Sequence, residues 1–205
     1  MNMNFKQGAM FGLDARIALA IFGALSVISG AALYSAIQNA KVTAIYTSSQ
    51  EVIKAFEQLY LDTSRLRLYK GDANACFNAE DLITNNSMAG WKGPYLSMAG
   101  TSSDGNIDDC LVLNDLSGFN DFSSIRIRHL KNTTWDLSPV AWWNNLPCNS
   151  SGDCSLFMNL TASLSKKSLI TQLDSQLDDS NAETGNIRYK ESTNIYLYIK
   201  GFNYN

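Results

Sequence analysis

The sequence predicts an α+β fold in which one long N-terminal α-helix packs its second half against an antiparallel β-sheet head. Three observations predict it. The 205-residue chain carries an uncharged apolar run from Ile17 to Ile37, then an unbroken helical periodicity, then short β-branched and aromatic segments set between turn clusters.

The apolar run comes first. About 21 residues at 1.5 Å each make roughly 30 Å of helix, the thickness of a bilayer core. A cleaved secretory signal has a shorter apolar core and a small-x-small site behind it, and neither pattern is present. Ala20, Gly23, Ala24, Ser26, Ser29, Gly30 and Ala31 are small, and several are spaced three or four apart. That spacing lets helix backbones approach closely in lipid or in a bundle. One acid, Asp14, stands just before the run, where an ordinary anchor has no use for it.

Beyond Ile37 no proline or glycine occurs until Gly71, and Ile45, Val52, Ile53, Phe56, Leu59 and Tyr60 recur at helical spacing. The helix is therefore expected to continue as an amphipathic segment and to end between Asp62 and Leu68. In the remainder, residues 110–115, 123–130, 186–192 and 194–200 read as strands, which makes an antiparallel sheet of about four. Leu160, Leu164, Ile170, Leu173 and Leu177 suggest a second, shorter helix.

A formal net charge of −3 and the lack of a Lys/Arg cluster argue against a nucleic-acid partner. Abundant Asn, Ser and Gly with few charges suit an extracytoplasmic head. The 4 cysteines, Cys76, Cys110, Cys148 and Cys154, all follow the apolar run and are read as two disulfides. Zinc is the alternative, but there is no CxxC pair and His129 is remote in sequence. Of the three connectivities, Cys148 with Cys154 and Cys76 with Cys110 is preferred, because "CNSSGDC" is a polar loop that turns back at small entropic cost.

Catalytic constellations are absent: one histidine, no GxSxG, no phosphate loop and no HExxH. The chain is read as a non-enzyme without a cofactor. One ligand set stands out, Asp104, Asn106, Asp108 and Asp109 around Gly105, hard oxygens that suit calcium; the alternative is a solvated acidic turn, which also accounts for Asp178 and Asp179 as residues closing a helix. Trp135, Trp142, Trp143 and Phe157 form either a binding surface or a small satellite core.

The opening stretch resembles the N-terminal signal of the type IV pilin and type II secretion pseudopilin superfamily. Lys6 supplies the leader charge, "GA" the small residues before the cut, Met10 and Phe11 the new end, and Asp14 the acid at the fifth mature position, with Gly23 where the family often has a helix glycine. Aspartate stands in for the usual glutamate, and a cut after Gly8 would make Asp14 the sixth residue. Further on, "GWKGPYL" (90–96) is similar to the "GPYL" of major pseudopilins, "GTSSDGNIDDC" to their calcium loop, and "LDDSNAETGNIRY" to the end of many pilin heads.

The resemblance implies a pilin-like architecture. It divides into a leader at 1–9, a transmembrane and filament-core half-helix at 10–38, an amphipathic half at 39–68 and an extracytoplasmic head at 69–205. It also implies cleavage between Ala9 and Met10 by a prepilin peptidase and methylation of the Met10 amine. Assembly into a helical homo-oligomeric filament would use an ATPase and an inner-membrane platform protein. Asp14 would then meet the terminal amine of a neighbouring subunit, an amine mostly charged at neutral pH. The precursor would lie in the inner membrane, and the product would be an extracellular pilus used for functions such as adhesion, or a periplasmic secretion pseudopilus. The rival reading is a single-pass membrane protein with a ligand-binding head.

Overall fold

The computed structural model describes residues 7–67, 76–85, 87–97, 119, 121–133, 135, 148 and 154–203, and of residues 7–11 the backbone alone. The chain forms two compact units, residues 1–41 and 42–205. The first unit contains the opening part of helix α1 (Gln7–Thr63). Its apolar side chains from Leu13 to Ile37 are exposed.

The second unit is a two-layer α+β head. Its sheet consists of β1 (Phe122–Lys131), β2 (Cys154–Ala162), β3 (Ile187–Glu191) and β4 (Ile195–Asn203), with helix α2 (Lys167–Leu177) between β2 and β3. The strand order is β1-β2-β4-β3 and every neighbouring pair is antiparallel. Side chains alternate across a strand. Ile125 and Ile127 of β1, Leu156, Met158 and Leu160 of β2, and Ile195, Leu197 and Ile199 of β4 enter one core with Val42, Ile45, Val52, Ile53, Phe56 and Leu59 of α1 and Leu169, Ile170 and Leu173 of α2. The stripe that was periodic in sequence is thus the stripe that docks. Gly201 marks a close approach, since a Cβ there would lie 2.8 Å from the Ile53 side chain.

On the opposite face, Leu130, Trp135, Phe157 and Tyr198 form a separate small core. The Trp135 ring lies 5.1 Å from Phe157 and 5.0 Å from Tyr198. The Arg188 guanidinium covers Trp135 at 4.8 Å and donates to the carbonyls of Thr133 and Asn132 at 2.7 and 3.1 Å. Cation, ring and carbonyls satisfy one another, which makes a buried arginine tolerable.

Helix α1 ends at Thr63 because the next residue, Ser64, turns left-handed (φ 54°) and its N–H bonds the Tyr60 carbonyl at 2.7 Å, an αL stop made without glycine. The "GWKGPYL" stretch straps this end. Asp62 accepts from Lys92 Nζ and Tyr95 Oη, each at 3.0 Å, and the Lys92 hydrogen bond holds the Asp62 carboxyl below its ordinary range. Gly90 (φ +85°) passes so close to the helix end that a Cβ would meet the Asp62 carbonyl at 2.3 Å.

Two expectations change. Leu160, assigned by its spacing to the second helix, belongs to β2; the helix itself begins at Lys167 and carries Ile170, Leu173 and Leu177. All nine residues of β2 are buried, because it is an inner strand covered on both faces; Leu156, Met158, Leu160 and Ala162 enter the main core and alternate with Ser155, Asn159 and Thr161, a pattern that only Phe157 interrupts. The other strand expectations correspond to β1, β3 and β4, while residues 110–115 lie outside the described residues.

Candidate functional site

Two parts of the molecule stand apart from ordinary packing: the opening stretch of α1 and an acidic cluster at the end of α2. Along the first, Leu19 is 74 % exposed, Phe22 72 % and Val27 74 %. Leaving side chains of this size in water forgoes about 1.5–3 kcal/mol each, and a contiguous apolar surface of this extent marks a site of contact with lipid or protein. The described helix 12–63 is long and apolar enough to cross a membrane. Its polar atoms suit that medium: the Ser26 hydroxyl donates to the Phe22 carbonyl at 2.8 Å, so it does not require water. A Cβ at Gly23 or Gly30 would meet nothing within 4 Å, which leaves both positions open to a neighbouring backbone.

Asp14 is exposed in α1, three residues before the uncharged run. The Ala9–Met10 bond lies within the helical backbone near its start. Cys148 and Cys154 are joined as a disulfide. Cys76 is also disulfide-bonded; Cys110, the partner expected for it, lies outside the described residues, as do Asp104, Asn106, Asp108 and Asp109. So do Trp142 and Trp143. Trp135 is only 1 % exposed, which makes the described part of the tryptophan cluster a satellite core and not a binding surface. His129 is half-buried, its ring 5.8 Å from Phe77.

The acidic cluster was only partly legible. Asp178 and Asp179 do close α2 as expected. Asp178 Oδ2 accepts the Ile187 N–H at 2.7 Å, and Asp179 accepts from the Thr184 hydroxyl and the Asn181 N–H at 2.6 and 3.0 Å. Asp174, one turn earlier, was missed. It occupies a core-facing position of α2 beside Ile170 and Leu173 and is 1 % exposed. Its place four residues after Ile170, on the apolar stripe, was the signal. Neither Asp174 carboxylate oxygen has a hydrogen-bond partner of ordinary geometry among the described residues. Burial, then the negative charges of Asp178 and Asp179, push its carboxyl up to about 6 against a smaller lowering by the nearby Ser180 N–H.

That shift has a pH consequence. The Asp174 value is raised above the 3.8 of the unfolded chain, so its contribution to folding is fully present below about 3.8 and lost as pH rises through about 6. Stability of the divalent-ion-free protein is expected to increase on lowering the pH from 7.5 toward 5, by on the order of 1 kcal/mol from this group. Denaturant unfolding at several pH values checks it. Asp174→Asn should flatten the trend, and an unchanged slope in that variant would refute the assignment.

Comparison with protein-family models, curated proteins and solved structures finds no match for this chain.

Proposed function

We propose that this chain is a structural subunit of a type IV pilus-like filament, inserted in the inner membrane as a precursor and assembled through the first half of α1 after cleavage before Met10. The observation that carries the reading is the division of labour within one helix. Residues 42–59 supply the head's core, while Leu13 to Ile37 present large apolar side chains that the chain itself leaves uncovered. Lipid would cover them in the precursor and neighbouring helices in the filament, with Gly23 and Gly30 allowing close backbone approach. The head would face outward.

Asp14 gives the assembly its register. An acid near the bilayer costs energy unless it is partnered, and cleavage creates the partner, the new α-amino group of Met10 on an adjacent subunit. At about 4 Å and an effective dielectric of 20 the pair attracts by roughly 4 kcal/mol before desolvation. A prepilin peptidase, an assembly ATPase and a platform protein complete the set of partners. The heads would form the filament surface of an extracellular pilus; recovery of the same filament only from the periplasm would identify a secretion pseudopilus.

The test is the N-terminal residue of assembled material together with the behaviour of Asp14→Ala. Assembled protein is expected to begin at Met10, and the variant to yield at least about tenfold less filament, since 1.4 kcal/mol already corresponds to a factor of ten. An intact Met1 in material that tolerates Asp14→Ala would instead identify a single-pass membrane protein and overturn the proposal.

A further inference from the structure

We propose that Asp174, Asp178 and Asp179 form a divalent-cation site for a calcium-sized ion at the C-terminal end of α2, a role independent of how the N-terminal helix assembles. The three carboxylates each place one oxygen within 4.8 Å of the others. Carboxylate oxygens are hard ligands; calcium accepts six to eight of them in flexible geometry, whereas magnesium demands a near-ideal octahedron, so an irregular set of three carboxylates suits calcium better.

Asp174 points to the ligand. Both of its oxygens are buried and neither has a hydrogen-bond partner of ordinary geometry among the described residues, a costly arrangement for a carboxylate that a cation or a proton relieves. Asp178 and Asp179 are tied by one or both oxygens to the 181–187 turn. A carboxylate oxygen accepts more than one partner, so those bonds hold the two groups in place and leave capacity for an ion. Three acids also converge where the helix carbonyls add negative charge.

Protein cations do not meet this need directly. No described salt bridge reaches the three acids: Lys167 pairs with Glu191 and Lys166 with Asp121. Arg188 feels Asp178 and Asp179, but its Nε, Nη1 and Nη2 each donate to a carbonyl, those of Gly185, Thr133 and Asn132. Tyr189 and Glu191, on the facing strand β3, add no positive charge. An open cleft of about 360 Å³ reaches Asp174 past Thr171, Gln172, Ser175 and Ser180, providing entry and room for the waters that complete calcium's six to eight ligands. The other grouping of ligating atoms, His129 with Cys148 and Cys154, has both sulfurs consumed in a disulfide and offers no thiolate.

The full chain in detergent micelles, stripped with EDTA, provides the test by calorimetric titration and thermal unfolding at pH 7.5. Calcium chloride is expected to bind at a saturable site and raise the unfolding midpoint by several degrees, with magnesium at least tenfold weaker. Asp174→Asn and Asp179→Asn should each weaken calcium at least tenfold, Asp174→Asn without lowering the calcium-free midpoint. Affinity should fall as the pH drops below 6. Either no midpoint shift in the unsubstituted protein or an undiminished shift in Asp174→Asn overturns the proposal. So does a response lost in Asp108→Asn/Asp109→Asn but kept in Asp174→Asn, which would place the ion in the 104–109 segment.

Discussion

Phe56→Ala is expected to destabilise the head by about 3–5 kcal/mol, the range for emptying a fully buried aromatic position. Phe56 is 0 % exposed, sits in the middle of the docking stripe of α1 and has its ring 6.4 Å from Phe77. Its removal leaves a cavity where helix, sheet and the segment after Cys76 converge, and the rigid partners on the strands cannot collapse to fill it. Denaturant unfolding of the full chain in micelles, followed by tryptophan emission, reports the loss because Trp91 and Trp135 are held by the same head. The contrasting change is Leu25→Ala on the same helix, 58 % exposed, which should leave head stability within about 0.5 kcal/mol. A Phe56→Ala cost below about 1 kcal/mol would mean that α1 does not carry the core.

Arg67→Ala is expected to cost about 3 kcal/mol, more than Asp81→Ala. The two side chains form an ion pair through both Arg67 Nε, 2.8 Å from Asp81 Oδ2, and the Arg67 Nη2 to Asp81 Oδ1 contact. Exposure is unequal, 36 % for the arginine side chain and 1 % for the aspartate. Deleting the arginine therefore takes the cation away from a buried carboxylate, whereas a guanidinium deprived of Asp81 turns toward water. The pair matters because it closes the exit from α1: the Arg67 carbonyl also accepts the Asn78 N–H at 2.8 Å, and the Trp91 indole N–H reaches the Asp81 carbonyl at 2.7 Å. The double change Arg67→Met/Asp81→Leu should recover most of the loss. Equal or reversed costs for the two single variants would show that desolvation of the carboxylate is not the governing effect.

Both predictions concern the seam where a helix read from sequence meets contacts that sequence could not supply. The helix was legible over its whole length, since the apolar run and the later stripe are local patterns with no interruption. Strands β1, β3 and β4 were legible because each either alternates or concentrates β-branched and aromatic residues between turns. Strand β2 was not read, although Leu156, Met158, Leu160 and Ala162 alternate with Ser155, Asn159 and Thr161, because Phe157 breaks the pattern and Leu160 also stands at helical spacing from Leu164. The Cys148–Cys154 pairing followed from the short loop alone. Asp174 is intermediate: its place four residues after Ile170 on the apolar stripe was a local signal that it faces inward, but its proximity to Asp178 and Asp179 comes only from the fold.

By itself the sequence determined that a long apolar helix leads an antiparallel α+β head with disulfide-bonded cysteines, because membrane length, helical period and turn chemistry are properties of neighbouring residues. Only the tertiary structure decided that Trp135 is core, that "GWKGPYL" straps the end of α1 through Asp62, and that Asp174 joins Asp178 and Asp179. Those three depend on which residues distant in the chain exclude water from one another, and no local pattern encodes that.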